Sequence, residues 1–306
     1  MTNQKEQRDA VRQRLLRCMA MAALLTGATI AQAQPRCVID DTEQELCLAA
    51  PAQRIVSLSP GATELLFDAG AGAQIVGTVS FSDYPEAAQD IPRIGSYNRI
   101  DLESLLALRP DLIIAWHSGN PRGQVERLQR MGLPVYYTEP RSFAQIASTL
   151  LRLGRLAGRE ETAETAAAAL ERDVAALAER YAEAEPVRVF YQIWDEPLMT
   201  INDTHFISEA IRLCGGVNIF GTLPRLTPTL DPETVLEADP QAIIAGGMGE
   251  AEQAWALGWR RYDALQAVQQ GHLFFVPPSL LQRPTVRLLS GTRALCTHLQ
   301  AVRDGD

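Results

Sequence analysis

The chain has 306 residues, a formal net charge of −9 and a hydrophobic fraction of 46%. This length is sufficient for two domains of ordinary size, and this hydrophobic content excludes an intrinsically disordered chain. Because nucleic-acid binding depends on clustered Lys and Arg, the acidic balance argues against a nucleic-acid partner.

The first 33 residues have the layout of a secretory signal peptide. Three Arg residues precede an apolar segment over residues 18–30, and Ala31-Gln32-Ala33 supplies small residues for cleavage. The apolar segment is too short to cross a bilayer as a helix of the mature protein. We therefore expect a soluble, exported protein without membrane insertion. A lipid anchor on Cys18 is disfavoured, because Arg17 stands where such signals require a small residue.

The four cysteines that follow are Cys37, Cys47, Cys214 and Cys296. An exported protein lies in a compartment that permits disulfides, and four cysteines allow three pairings. A plausible turn between Cys37 and Cys47 makes a local bridge the simplest choice, which leaves Cys214 to pair with Cys296. A zinc site is disfavoured because the sequence has no CxxC and no His close to a cysteine. Residues 34–50 are thus predicted as a disulfide-closed hairpin.

An α/β pattern begins after the hairpin. Residues 54–58 and 75–78 are apolar strands, and residues 59–64 form a turn that opens a helix ending near Ala69. An aromatic-rich loop follows at residues 81–85. We expect these segments to belong to an N-terminal α/β lobe over residues 51–158.

Residues 101–115 and 231–245 are two copies of one pattern, with seven of fifteen positions identical. Each copy starts with a helix-capping Asp, has an acid in the first turn, and continues through a Pro into a short apolar run. A strand that is apolar at consecutive positions is buried on both faces, as in a parallel sheet covered by helices. Two such units predict two similar α/β lobes.

Residues 160–185 lie between the repeats and contain no Gly or Pro. Their Ala, Glu, Leu and Arg content predicts one helix, which at this length spans about 35 Å. We expect it to be a stiff connector over residues 159–185, followed by a C-terminal α/β lobe over residues 186–306. Ligands bind beyond the carboxyl ends of parallel strands, so Trp116 is either a wall of a cleft or a lid over a helix.

The order of these features resembles the periplasmic substrate-binding proteins of ABC importers that use a rigid interdomain helix, those for cobalamin, haem and iron-siderophores. The segments that carry the resemblance are Ile55-Val56-Ser57-Leu58-Ser59-Pro60, Thr63-Glu64, Arg109-Pro110-Asp111-Leu112-Ile113, the mid-chain helix and Cys214-Gly215-Gly216-Val217-Asn218-Ile219-Phe220. The resemblance covers residues 51–303. It implies a periplasmic, monomeric protein that binds a ligand between two lobes joined by one rigid helix. It also implies delivery of that ligand, without chemistry, to an ABC permease with its ATPase subunits.

Within this family the sequence is most similar to the cobalamin-binding members. The similar segments are Ser82-Asp83-Tyr84-Pro85, Ile114-Ala115-Trp116 with Gly119-Asn120, and the pair Cys214 and Cys296. The residues implied to line the corrin cleft are Phe81, Tyr84, Tyr97, Trp116, Ser279, Leu280, Leu281, Gln282 and Arg283. A large flat ligand with apolar edges favours such aromatic walls and few polar anchors.

The cleft also departs from the cobalamin-binding pattern. Phe81 and Tyr97 stand where those members have Tyr and Trp, and Leu280-Leu281 replaces an aromatic pair. Haem and iron-siderophores therefore remain alternative ligands. Haem iron would require a Tyr or His ligand, for which the candidates are Tyr84, Tyr97, His117 and His205.

Glu103 and Glu233 are the first-turn acids of the two repeats. The resemblance implies that each presents a carboxylate to Arg residues of the permease. An acid at this position also stabilises its own helix by roughly 0.3–1 kcal/mol, which is the simpler explanation from the residues alone.

An enzyme is the rival interpretation. The sequence has no nucleophile elbow, no P-loop and no GxGxxG after a strand, so neither catalysis nor a cofactor is expected. A zinc or manganese carrier would need three or four converging His or carboxylate ligands, and the chain has only four His. We expect no metal site.

Overall fold

Two parallel sheets, each with its own helices, form two lobes that a long helix joins. The computed structural model describes residues 35–246 and 258–305. The strands are β1 (Arg36–Ile39), β2 (Glu45–Leu48), β3 (Ile55–Ser57), β4 (Ile75–Gly77), β5 (Gly95–Ser96), β6 (Arg99–Ile100), β7 (Leu112–Trp116), β8 (Val135–Thr138), β9 (Val187–Gln192), β10 (Gly216–Asn218), β11 (Ala242–Ala245) and β12 (Leu273–Phe275). The helices are α1 (Pro60–Asp68), α2 (Leu102–Ala107), α3 (Arg122–Arg130), α4 (Phe143–Ala157), α5 (Glu160–Arg180), α6 (Phe206–Leu213), α7 (Pro232–Ala238), α8 (Gln266–Gln269), α9 (Pro278–Leu281) and α10 (Leu288–Asp304).

The two large sheets have the same topology. The strand order is β4-β3-β7-β8 in the first lobe and β10-β9-β11-β12 in the second, and all neighbouring strands are parallel. Residues 112–115 of β7 and all four residues of β11 are buried, because helices cover both faces of each sheet. The prediction of two similar lobes is confirmed.

The sequence repeat corresponds to equivalent elements of the two lobes. In each lobe a short helix, α2 or α7, leads into the third strand of the sheet. The residue before the Pro has a positive φ in both copies, 46° at Arg109 and 40° at Asp239. Residues 101–110 and 231–240 also have the same sequence of exposed and buried positions. The two copies of the repeat thus share a local structure as well as a similar sequence.

Helix α5 connects the lobes but is shorter than its composition predicts. It ends at Arg180, and Tyr181 leaves the helical conformation with a φ of −109°. Pro186 disfavours a helical conformation at the residue before it, and the chain must turn before β9 pairs with β10. Its 21 residues span about 32 Å.

A continuous hydrophobic core joins both lobes through α4, α5 and α10. Leu153 and Leu170 belong to the same cluster of buried residues as Val189 of the second sheet and Leu295 of α10. Helices α4 and α5 approach closely at Gly154, where a Cβ atom would lie 2.3 Å from the Cβ of Ala163. The connector is therefore packed against both lobes, which restricts their relative motion.

The N-terminal hairpin of β1 and β2 protects an edge of the first sheet. Its strands are antiparallel, and a disulfide joins Cys37 to Cys47. Residues of its turn bond the edge strand β8: Asp41 N–H donates to Tyr137 O, and Tyr137 N–H donates to the Asp40 carboxylate. An unpaired strand edge is a site of unwanted association, and the turn covers part of it.

The second disulfide joins Cys214 to Cys296, and both residues are buried. It links the end of α6 to α10. The two bridges are those expected from the sequence. The predicted signal peptide at residues 1–33 lies outside the described residues. Among the helices that are described, none combines the length and apolar character needed to cross a membrane.

Candidate functional site

A cavity of about 600 Å³ lies between the lobes at the carboxyl ends of the parallel strands. Trp116 and Thr138 are the last residues of β7 and β8, and Ile193 directly follows β9; all three line the cavity. The second lobe also contributes His205 and Phe206. The arrangement follows the rule that open parallel sheets bind ligands beyond the ends of their strands.

One wall of the cavity is aromatic. Tyr97 and Trp116 line it with their ring centroids 5.7 Å apart and their planes tilted by 47°. The Trp116 ring lies on the backbone of Gly119, where a Cβ atom would come within 1.9 Å of the ring. Trp116 therefore forms part of the cleft wall, and Gly119 makes this ring position sterically possible.

Asn120 holds the two aromatic segments together. Its side-chain amide donates to Leu58 O at 2.9 Å and to Tyr97 O at 2.7 Å. Its Oδ1 atom accepts the Trp116 backbone N–H at 2.6 Å. One buried side chain thus fixes β3, the Tyr97 loop and the end of β7. From the sequence, Asn120 is only part of a family-like segment and has no role of its own.

Phe81 stands at the mouth of the cavity on a conformationally fixed loop. Its φ is 66°, which is uncommon for a bulky residue, and its side chain is 69% exposed. A buried hydroxyl network beneath the loop includes Thr63, Thr78 and Ser82, with Thr63 Oγ1 lying 2.7 Å from Thr78 Oγ1. These bonds tie Ser82, the residue after Phe81, to α1 and to the residue that follows β4.

Arg283 joins the lobes beside the Phe81 loop. Its Nη1 atom donates to Glu64 at 2.8 Å and to Asp83 at 3.1 Å, and its Nη2 atom donates to Phe81 O at 3.2 Å. Glu64 is only 1% exposed and also accepts from Thr285 and Arg287. The carboxylate of Glu64 raises the pKa of the Arg283 guanidinium against the opposing effect of burial. Glu64 was recognised only as part of a family segment.

His205 is a neutral hydrogen-bond donor on the cavity wall. Its Nδ1 atom accepts the Ile207 backbone N–H at 3.2 Å and caps α6. Burial, assisted by the charge of Arg141, lowers the pKa of His205 to about 4. With Nδ1 used as an acceptor, the single proton of the neutral ring is on Nε2. Iron binding at Nε2 would require that proton to move to Nδ1, and the cap on α6 would then be lost.

The other candidate iron ligands differ in position. Tyr97 lines the cavity. Tyr84 lies under the Arg287 guanidinium, 3.9 Å from the ring centroid, in another contact between the lobes. His117 is exposed and makes an edge-on contact with Tyr137 at 5.6 Å. Tyr84 and His117 are not among the cavity-lining residues.

The predicted loop 279–283 contributes less to the cavity than expected. Gln282 and Arg283 line it. Leu281 is fully buried in the core and Leu280 packs against that core, because α9 turns both side chains inward. The expectation for these two residues is corrected on this point. Ser279 lies in the same short helix and is not among the lining residues.

Glu103 and Glu233 lie at equivalent positions of the two lobes. Each is in the first turn of its helix, α2 or α7, and each is exposed. Neither forms an ion pair with another residue of the described ranges. Asp101 caps α2 by accepting from the N–H groups of Glu103 and Ser104, whereas Asp231 makes no such side-chain bond.

One group of side chains in the described ranges has a spacing that suits a metal ion, namely Cys37, Glu45 and Cys47. Both sulfur atoms of this group belong to a disulfide, so neither is a thiolate ligand.

Comparison with known proteins identifies the class. The family model for periplasmic binding proteins matches residues 55–280, and the chain belongs to that family. The vitamin B12-binding protein of Vibrio cholerae serotype O1 is 36% identical over 253 residues, which cover 82% of this chain and 90% of that protein. The vitamin B12-binding protein of Vibrio campbellii is 33% identical over 253 residues, which cover 83% and 91%.

Solved structures agree with this assignment. The crystal structure of the periplasmic vitamin B12-binding protein BtuF of Vibrio cholerae superposes with a TM-score of 0.76 at 35% identity, covering 83% of this chain and 98% of that one. The periplasmic haem-binding protein RhuT from Roseiflexus has a TM-score of 0.72 at 23% identity, covering 82% and 99%. The second similarity shows the shared fold alone.

Proposed function

We propose that this protein binds cobalamin in the cleft between its lobes and delivers it to an ABC permease. The observation that carries the proposal is the Tyr97–Trp116 pair, which lines a cavity of about 600 Å³ together with Ile193 and Phe206 of the other lobe. A corrin ring is large and flat with apolar edges, so aromatic and aliphatic walls suit it. The names of the relatives that are 33% and 36% identical support this choice of ligand.

The proposed mechanism is capture without a chemical step. The continuous core through α5 and the bonds from Arg283 and Thr285 to Glu64 hold the two lobes together. A pre-formed cleft loses little conformational entropy when the ligand binds. We expect the lobes to move little between the free and the bound protein.

The site of action that we propose is the periplasm, after removal of residues 1–33. The two disulfides suit an oxidising compartment. In the carrier–permease complex, Glu103 and Glu233 would each accept hydrogen bonds from Arg residues of the permease, one from each lobe. Their equivalent and exposed positions, without an ion pair to any described residue, support this role.

Calorimetric titration of the mature, oxidised protein with cyanocobalamin tests the ligand. We expect saturable one-to-one binding, and about a tenfold or larger loss of affinity in Trp116→Ala, because a buried aromatic side chain contributes about 1.5–3 kcal/mol. His117→Ala is the matched control, since His117 follows Trp116 but is exposed and does not line the cavity. A folded protein that releases no heat with cyanocobalamin would exclude cobalamin.

Haem is the second candidate, favoured by the position of the Tyr97 side chain in the cavity. If haem is the ligand, titration shifts the Soret band, and Tyr97→Phe abolishes the shift while the fold is retained. If the Soret band does not change, haem is excluded.

A transport assay tests the docking role. We expect the double variant Glu103→Ala, Glu233→Ala to bind cobalamin normally but to lose permease-dependent uptake. The control is Glu164→Ala, Glu171→Ala, which removes two exposed acids of α5. Unchanged uptake in the first double variant would remove the docking role.

A further inference from the structure

The charged residues that line the cleft are not equally neutralised. Glu139, Arg141 and Arg283 line the cavity. Arg283 bonds two carboxylates, and the carboxylate of Glu139 accepts the Ser118 N–H at 2.9 Å. The Arg141 guanidinium makes no hydrogen bond or ion pair with any residue of the described ranges. Within the described ranges Arg141 is thus a lining cation that no carboxylate binds, and Glu139, two residues away, is a lining carboxylate that no cation binds.

Two further polar residues, His205 and Thr138, also line the cavity. The charge of Arg141 acts on His205, whose Nδ1 atom is occupied by the Ile207 N–H, so the free ring nitrogen of His205 is a donor. Thr138 also lines the cavity, is 3% exposed, and has no partner for its Oγ1 atom among the described residues. The Thr138 hydroxyl is itself buried, so Arg141 and His205 supply the donors here, and these two residues suit a ligand group rich in acceptors.

We infer that Arg141 and His205 form a subsite for an anionic phosphodiester on the ligand. The inference rests on the proposed function. The corrin ring of cobalamin carries uncharged carboxamide arms, whereas its nucleotide arm contains one phosphodiester anion. A guanidinium forms charge-assisted hydrogen bonds to phosphate that are about twice as strong as neutral ones. The subsite would therefore distinguish a complete cobalamin from a corrinoid that lacks the nucleotide arm.

The experiment compares cyanocobalamin with dicyanocobinamide, a corrinoid without the phosphodiester and nucleotide. We expect the wild-type protein to bind cyanocobalamin about tenfold or more tightly than dicyanocobinamide. Arg141→Gln removes the charge and is expected to raise the Kd for cyanocobalamin about tenfold while changing the Kd for dicyanocobinamide less than about twofold. The control is Arg172→Gln. Arg172 is exposed on α5 and does not line the cavity, so this variant should change neither Kd.

His205→Asn tests the second donor. Asn retains a side-chain acceptor that can cap α6, but its shorter amide cannot place a donor at the position of His205 Nε2. We expect a loss of about threefold to tenfold for cyanocobalamin alone, with the fold checked by circular dichroism.

The possible results distinguish a failure of the phosphodiester subsite from a failure of cobalamin binding itself. If Arg141→Gln weakens both corrinoids equally, Arg141 contacts the corrin carboxamides, and the phosphodiester subsite is wrong. If it weakens neither, or if the wild-type protein does not distinguish the two ligands, the subsite is also wrong while cobalamin binding stands. If the folded protein binds neither corrinoid, the proposed function itself fails.

Discussion

Glu64 and Arg283 are 219 positions apart in the sequence and form a buried ion pair at 2.8 Å between the two lobes. Glu64 lies on α1 of the first lobe, and Arg283 follows α9 of the second. Because Arg283 also donates to Phe81 O, the same pair determines where the aromatic residue at the mouth of the cleft is held. Lobe spacing and cleft shape are therefore coupled at this contact.

Glu64→Gln is expected to destabilise the protein by about 3 kcal/mol, since removal of one charge leaves Arg283 and Arg287 without their buried partner. Urea unfolding followed by circular dichroism measures the loss. Asp173→Asn, which breaks the exposed Asp173–Arg293 pair between α5 and α10, is the control and should cost at most about 1 kcal/mol. Equal effects in the two variants would contradict a structural role for the buried pair.

Asp68 makes the stability of the same region depend on pH. Burial, and then the nearby charge of Glu64, raises the pKa of Asp68 from 3.8 to about 7, although Arg287 acts in the opposite direction. Its Oδ2 atom is buried without a hydrogen-bond partner among the described residues. A folded-state pKa above the unfolded value means that the folded protein holds a proton which the unfolded chain releases. The stabilisation that this proton provides is complete below about pH 4 and is lost as the pH rises through 7.

Asp68→Asn should remove this pH dependence. A difference of about three pH units between the folded and unfolded pKa corresponds to at most about 4 kcal/mol. Relative to Asp68→Asn, the wild-type protein is expected to become progressively less stable between pH 5 and pH 8, as measured by urea unfolding at a series of pH values. A constant difference between the two proteins over this range would show that Asp68 is not protonated in the folded state.

The sequence predicted the lobes well because their signals are local. The repeated helix-Pro-strand pattern at 101–115 and 231–245 and the apolar strands of the sheets depend on residues close together in the chain, and all have their predicted form. The end of α5 was placed too late because the turn at Tyr181 depends on where β9 must pair, which composition does not encode.

The cleft was predicted only in part because its geometry depends on contacts between distant segments. Trp116 and Tyr97 were identified through resemblance, but the bonds of Asn120 that hold them in place reach Tyr97, 23 positions away, and Leu58, 62 positions away. Leu280 and Leu281 were assigned to the cleft by resemblance, whereas the short helix α9 buries Leu281 in the core and packs the partly buried Leu280 against it. No sequence pattern marks Arg141 as a cleft residue. Only the three-dimensional structure shows that its guanidinium lines the cavity without a partner among the described residues.

Replacing glycine by alanine should have opposite effects on stability at Gly154, where α4 packs closely on α5, and at Gly123 on α3. Gly154→Ala is expected to destabilise the protein by about 1–3 kcal/mol, because its Cβ would lie 2.3 Å from that of Ala163. Gly123→Ala on α3 has no heavy atom within 4 Å of the new Cβ and should stabilise its helix by up to about 1 kcal/mol. Thermal unfolding of both variants measures the contrast. Destabilisation by Gly123→Ala, or none by Gly154→Ala, would contradict the packing.

The two disulfides should differ in how much they stabilise the protein and in how easily a reductant reaches them. Closing the loop of 10 residues between Cys37 and Cys47 is expected to contribute about 2–3 kcal/mol, and the loop of 82 residues between Cys214 and Cys296 about 4–5 kcal/mol. Cys47 is exposed, whereas Cys214 and Cys296 are buried. Under native conditions dithiothreitol should reduce the hairpin bridge first, as shown by alkylation and mass spectrometry. Simultaneous reduction would indicate that global unfolding precedes attack on either bridge.

Gly119 provides a way to move Trp116 without changing its chemistry. In Gly119→Ala the new Cβ would overlap the indole ring, with an approach of 1.9 Å, so the ring must leave its place beside Tyr97. Because Gly119 lies in a partly exposed loop and the Asn120 bonds are formed by its neighbour, we expect the fold to be retained. The affinity for cyanocobalamin should fall about tenfold, close to the effect of Trp116→Ala, and the double variant should be no weaker than Trp116→Ala alone. Additive losses in the double variant would mean that Gly119 acts on the ligand by a route other than the position of the Trp116 ring.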